Sequence, residues 1–433
     1  MRKYFFCAKN LDDYRKTYQH LVAKEKAPDE SLEDFEQKFF LAHIKNLFKV
    51  SDEVFDSAIY GETGIDGLRL DFNFGLRLDV PEGNFRVVIG DADTGEIFFD
   101  KYISGGRLIS VEQYFIRWRV KVFLDGKKVF EHKMRLEGQK VLLALRLCGL
   151  GDSIALLPFA QEFSRRHRCD VLICLPDYLC EFAANLYPDI PQVDAIRFQT
   201  YATYYLTFVM ATCLTVPVDI RNIPMERAGG SLLGVETLPP KPTFTPTASR
   251  FFPEPYVCIG VQASTPTKGW LYPGGWEIVV DYLKNLGYRV FCIDKQKVQS
   301  KGNYTATMPT NTEDFTGDFS IMDRANLLYY AEFFIGLSSG LAWVADAAGC
   351  PVIMICGFSQ DWFEFYTPYR VANRLACNGC FNDVRVAFMN GCPYHKNTAR
   401  EFECQKKISP LQVINAIERL ILDRNLMPPI VRS

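Results

Sequence analysis

The period of apolar and polar positions changes twice along the chain. Over residues 1–60 apolar side chains recur at helical spacing, with Phe40, Ile44, Leu47 and Phe48 on one face. Ser31-Leu32-Glu33-Asp34 has the form of a capping box. Over residues 64–138 the period falls to two. Leu68-Arg69-Leu70-Asp71-Phe72-Asn73-Phe74 alternates strictly, and residues 85–89, 96–99 and 116–123 follow. Asp125-Gly126 then joins two alternating runs, a hairpin signature. This pattern predicts an antiparallel module of about five strands.

From Lys140 the runs become continuously apolar, as in parallel strands buried on both faces: residues 141–145 and 171–175. They alternate with helical stretches, a βαβ pattern. Prolines at 239, 240, 242, 246, 253 and 255 mark a linker. Beyond it lie strand-like runs at 257–261, 289–294, 333–336 and 352–355, and a helix is expected at 276–286. The pattern predicts an α/β protein with two facing Rossmann-like domains, 139–245 and 256–376. A helical and antiparallel module, 1–138, precedes them. A cysteine-rich lobe, 377–433, follows and closes with a helix over 411–423.

Composition narrows the function classes. The 433 residues are 48% hydrophobic and 23% charged, with net charge −2. That is globular, and it weighs against a general nucleic-acid or anionic-membrane binder. The apolar run near the N-terminus is too short for a signal sequence. The apolar stretch 204–218 is shorter than the ~20 residues a membrane span needs. The expected location is therefore cytoplasmic, where the 14 cysteines are thiols or metal ligands rather than disulfides.

Four segments can carry chemistry. Gly149-Leu150-Gly151-Asp152-Ser153 follows the first buried strand, at the sheet edge where α/β proteins bind ligands. Asp152 is either a cap for free helix N–H groups or a general base for a hydroxyl nucleophile. Thr267-Lys268-Gly269 lies in a hydroxyl-rich loop after residues 257–261. Lys268 is either a solvated surface residue or part of a diphosphate site. Ser338-Ser339-Gly340-Leu341 opens a small-residue helix and forms a candidate anion nest. Asp294, after the next strand, is a candidate acceptor for a ribose hydroxyl. Neither G-x-G-x-x-G nor a Walker A loop occurs. Cys377, Cys380, Cys392 and Cys404 cluster in a loop-rich segment. Four thiolates there suggest a closed tetrahedral structural site, with zinc the default and iron the rival. His395 ranks below them as a ligand.

The Gly-Leu-Gly-Asp152-Ser-Ile loop with Leu-Pro158, the Thr267-Lys268-Gly269 loop and Gly336-x-Ser-Ser-Gly-Leu341 together resemble ADP-heptose-using heptosyltransferases of GT-B fold. With the β-rich N-terminal module and the four cysteines, the chain resembles the bacterial autotransporter heptosyltransferases (TibC-like). That resemblance implies transfer of heptose from ADP-heptose to serine hydroxyls of autotransporter adhesins. It implies Asp152 as base, and Thr267, Lys268, Gly269, Ser338, Ser339, Gly340 and Leu341 as donor-binding residues. It further implies structural iron on the four cysteines in place of zinc, no catalytic divalent cation, and a large homo-oligomer, a dodecamer. The alternative is a lipopolysaccharide-type heptosyltransferase or another ADP-sugar GT-B transferase. Lipopolysaccharide enzymes usually carry Asp-Thr-Gly-Leu-Ser-His in the second loop. Here the Asp position is Ser338 and the His position is Trp343.

Overall fold

The computed structural model describes residues 5–8, 61, 63–73, 75–110, 112–146, 148–194, 200–206, 217–301, 304–386 and 391–432. The helices expected within residues 9–60 lie outside the described residues.

Strand β1 (Phe5–Ala8) joins β2 (Arg69–Asp71), β3 (Arg77–Val80) and β6 (Gly106–Ser110) in an antiparallel sheet of order β1-β6-β3-β2. A second antiparallel sheet holds β4 (Phe85–Asp91), β5 (Ile97–Ile103), β7 (Trp118–Leu124) and β8 (Lys127–Lys133) in the order β5-β4-β7-β8. Among the described residues seven strands thus lie between Arg69 and Lys133, against the expected five or so. The alternating run at Leu68 yields only a three-residue strand, because the chain turns at Gly75. A Cβ there would stand 2.6 Å from the Glu112 carbonyl oxygen. Asp125-Gly126 makes the expected hairpin turn, with both residues at positive φ.

The first parallel sheet contains β9 (Lys140–Ala144), β10 (Asp170–Cys174) and β11 (Ala202–Tyr205) in the order β10-β9-β11. Its helices are α1 (Leu150–Leu156), α2 (Pro158–His167), α3 (Cys180–Leu186) and α4 (Met225–Leu233). The β module is fused to it. Phe72 bridges Ala202 in parallel, and the Asn73 side chain accepts from the hydroxyls of Thr200 and Thr203. One apolar core runs through both.

The second parallel sheet contains β12 (Tyr256–Gly260), β13 (Arg289–Cys292), β16 (Glu313–Asp314), β17 (Phe334–Leu337), β18 (Val352–Ile355) and β19 (Arg370–Val371). A hairpin of β14 (Val298–Lys301) and β15 (Tyr304–Thr307) branches from it. The order is β16-β13-β12-β17-β18-β19. The chain leaves β12 toward β13 on one side and returns through β17 on the other, so the topological switch lies between β12 and β17. Helices α5 (Gly275–Asn285), α6 (Ile321–Tyr329) and α7 (Gly340–Ala347) cover the sheet. Helix α8 (Pro410–Asp423) buries Val413, Ile417 and Leu420 in a second apolar core with Val257, Ile259 and Ile335 of this sheet, so the helix belongs to this domain's packing. The proline-rich segment is fastened to it as well. The Asn326 carboxamide accepts from the Thr247 N–H, and Lys241 pairs with Asp346.

Candidate active site at the junction of the two α/β domains

Helices α1 and α7 cross where the two domains meet, and two glycines permit the approach. A Cβ on Gly151 would stand 2.7 Å from Trp343 Cδ1, and a Cβ on Gly340 would stand 2.8 Å from Leu150 Cβ. The crossing brings the start of α1, the Ser338–Gly340 turn after β17 and the Thr265–Lys268 turn after β12 to one place. The last two flank the topological switch.

Asp152 sits in the first turn of α1, with Gly149 at the cap position. Its Oδ2 accepts from the Gly149 N–H at 3.3 Å. Among the described residues Oδ1 has no hydrogen-bond partner. Burial raises the Asp152 pKa above the ordinary aspartate value. Lys268, from the opposite domain, and the Gly149 N–H pull it back down. The carboxyl therefore lies within electrostatic reach of the ammonium across the junction. Tyr178 stands nearby. Its phenol is pushed up first by burial, then by Cys148 and Asp152.

Lys268 ends a short 3₁₀ turn, Pro266–Lys268, with its Nζ 5.3 Å from the centre of the Phe358 ring. Thr267 is buried and shares a 2.6 Å hydroxyl contact with Thr265. Its carbonyl accepts from Gln405 Nε2 at 2.6 Å. Gly269 is required by packing, since a Cβ would stand 2.6 Å from the Tyr304 hydroxyl.

The two serines of the second loop differ. Ser338 is buried and donates to Glu364 Oε1 at 2.5 Å. A hydroxyl has one proton, so Ser338 has none left for a ligand. Ser339 caps α7, and among the described residues its buried Oγ has no hydrogen-bond partner. The N–H groups of Gly340 and Leu341, at the start of α7, lie beside it.

Asp294 is only 1% exposed and accepts from the backbone N–H groups of Val261 (2.7 Å) and Gln262 (3.3 Å). Burial raises its pKa to about 6. It ties the end of β12 to the end of β13. The carboxyl expected to meet a ribose hydroxyl thus also holds these two N–H groups.

Cys380, Cys392 and Cys404 are buried and Cys377 is half-buried. Burial, and next the Cys392 and Cys377 thiols, push Cys380 up to about 12. Burial and the thiols of Cys380, Cys377 and Cys392 raise Cys404 in the same way. The four thiols therefore share one neighbourhood, in which thiolates would repel one another and a cation would relieve the repulsion. That donor chemistry suits a thiophilic ion. Among the described residues no group of three or more His, Cys, Asp or Glu stands at metal-holding distances. His395 forms part of no such group either.

Two family profiles match the chain: glycosyltransferase TibC, N-terminal domain, over residues 64–126, and glycosyltransferase family 9 (heptosyltransferase) over residues 236–384. The chain is 38% identical over 368 residues to an autotransporter heptosyltransferase of Citrobacter rodentium, covering 82% of this chain and 90% of that protein. It is 36% identical over 369 residues to the autotransporter heptosyltransferase TibC of Escherichia coli, covering 83% and 91%. The chain belongs to the autotransporter heptosyltransferase family. The crystal structure of iron-containing dodecameric TibC superposes with a TM-score of 0.81 at 35% identity, covering 85% of this chain and 99% of that one. TibC has also been solved with ADP-D-β-D-heptose. A further relative, BimC of Burkholderia thailandensis, is 31% identical over 369 residues, covering 83% of this chain and 87% of that protein, and is named inactive.

In this autotransporter heptosyltransferase the sequence located the loops, and the structure adds the residues that hold them. Glu364, Ser359 and Arg370 lie under the second loop, Gln405 under the first, and Arg221 between the domains. The Arg221 guanidinium donates to the carbonyls of Val386 (3.0 Å) and Val384 (3.3 Å), while Asn382 Nδ2 donates to the Arg221 carbonyl. Glu364, Gln405 and Arg221 carry no local signal, because Ser338, Thr267 and Val386, which they hold, lie 26, 138 and 165 positions away. Trp343 alone had one, as the residue standing where lipopolysaccharide enzymes place His.

Proposed function

We propose that this chain transfers heptose from ADP-heptose to serine hydroxyls of autotransporter adhesins. The observation that carries the reading is Asp152 facing Lys268 across the domain junction, beside two loops at the topological switch. Family membership alone does not assign activity, since one relative is named inactive.

In this reading the donor diphosphate rests on the Thr267–Gly269 turn, the Ser339 hydroxyl and the N–H groups of Gly340 and Leu341. Asp152 accepts the proton of the acceptor serine. The serine oxygen bonds to the anomeric carbon as that carbon's bond to the diphosphate breaks. ADP leaves with the electron pair, stabilised by Lys268 and the helix N–H groups. Raising the Asp152 pKa by burial makes it a better proton acceptor at neutral pH, while Lys268 keeps it ionised. We assign Cys377, Cys380, Cys392 and Cys404 as iron ligands, as the iron-containing relative and the shared thiol neighbourhood suggest. The iron would supply structure only. By the same likeness the chain works as a large homo-oligomer in the cytoplasm. No helix among the described residues is long and apolar enough to cross a membrane.

Intact-mass analysis of an autotransporter passenger co-expressed with the chain tests the reading. Expected are additions of one heptosyl unit each, abolished by Asp152→Asn with ADP binding retained. A different unit mass overturns the donor. An unmodified passenger with a heptosylated lipopolysaccharide acceptor overturns the adhesin.

A further inference from the structure

Beneath the Ser338–Gly340 turn lies a buried polar chain whose members come from three separate segments. Glu364 is 1% exposed in its side chain and Arg370 7%, and Arg370 Nη1 lies 2.8 Å from Glu364 Oε2. Ser359 donates to Glu364 at 2.7 Å and accepts from Arg370 Nη2 at 2.9 Å. Glu364 Oε1 takes the Ser338 proton at 2.5 Å. The far end reaches Cys356, whose Sγ lies 3.1 Å from Ser359 Oγ and which borders the thiol cluster.

A buried carboxylate needs a compensating charge and filled acceptor positions. Arg370 and Ser359 supply these from one side and Ser338 from the other. The Ser338 side chain is thereby fixed in one rotamer. Among the described residues the Ser339 Oγ that follows has no hydrogen-bond partner, and Gly340 opens α7, where the first N–H groups have no partner within the helix. The loop that lacks an acidic residue in sequence thus receives a carboxylate from 26 positions downstream, turned inward onto the loop and away from the junction.

We infer that Glu364 is a positioning residue for the donor site: through the Ser338 hydroxyl it fixes the turn that presents Ser339 and the α7 N–H groups to the donor diphosphate. The inference rests on the functional reading above. Glu364 touches no substrate. Its effect passes through Ser338, so the two must act as a unit.

The test is calorimetric titration of ADP into the full-length protein as wild type, Glu364→Gln, Ser338→Ala and the double variant. Losing a hydrogen bond to a charged group predicts about a tenfold rise in Kd for each single variant. It also predicts a double variant no weaker than the weaker single, and KM for the donor rising more than kcat falls. Ser338→Ala leaves the Glu364–Arg370 pair intact, so it keeps the test open if Glu364→Gln does not fold. Wild-type ADP affinity in Ser338→Ala overturns the inference. So do effects that multiply in the double variant, which would mark independent structural roles. Failure of wild type to bind ADP overturns the functional reading and this inference with it.

Discussion

Gly151→Ala tests whether the α1–α7 crossing sets the catalytic geometry. The added methyl would stand 2.7 Å from Trp343 Cδ1 and 3.2 Å from its Nε1. Trp343 cannot swing aside, because it is buried and packed edge-on against Phe365 at 4.9 Å. The helices must therefore separate by about 0.7 Å to reach ordinary contact, an overpacking that costs about 1–3 kcal/mol. Asp152 is the next residue, so its carboxylate moves with the helix. A misplacement approaching 1 Å predicts a kcat lower by about 10- to 100-fold. The assay is the initial rate of ADP release with donor and acceptor, measured well below the unfolding temperature, alongside thermal unfolding. Trp343→Ala removes the obstruction, so Gly151→Ala should add almost nothing in that background. Wild-type kcat in Gly151→Ala refutes the argument, even if the melting temperature falls, because Asp152 would then not depend on the crossing.

Four further outcomes follow. A base acts only when ionised, and burial raises Asp152 above 3.8; kcat/KM should therefore fall as pH drops through that raised value. Lys268→Met removes a charge that lowers it, so the acid limb should move to higher pH, and an unmoved limb refutes the coupling. Arg221→Ala strips the carbonyls of Val384 and Val386 of their donor. It should destabilise by about 1–3 kcal/mol and speed amide exchange over residues 380–386; unchanged exchange there refutes the brace. Cys404→Ser should lower bound iron, measured by elemental analysis of the purified protein, and iron equal to wild type excludes Cys404 as a ligand.

The legible part of the site was its loops. Continuous apolar runs ending in Gly149-Leu150-Gly151-Asp152 or Gly336-Leu337-Ser338-Ser339 state in a few residues that a buried strand stops and a helix begins. The β module was legible in kind but not in strand number, because turns such as that at Gly75 answer to contacts with Glu112, far along the chain. Asp294 was legible as an acidic residue at a strand end, and only the packing of β12 against β13 shows that it also accepts from the N–H groups of Val261 and Gln262. Spacing suggested the four cysteines as a group, and only the fold brings Cys377, Cys380, Cys392 and Cys404 close enough that thiols of the group raise the pKa values of Cys380 and Cys404.

Sequence by itself determined the α/β class, the order of the modules and the residue types at each strand end, since periodicity and turn chemistry are local. Tertiary structure decided which of those ends face one another. It placed Asp152 opposite Lys268, gave Ser338 to Glu364 and, among the described residues, left the Ser339 hydroxyl without a partner. These assignments depend on charges and hydroxyl protons meeting across segments that no local pattern relates, in a buried setting where each polar group must find a partner.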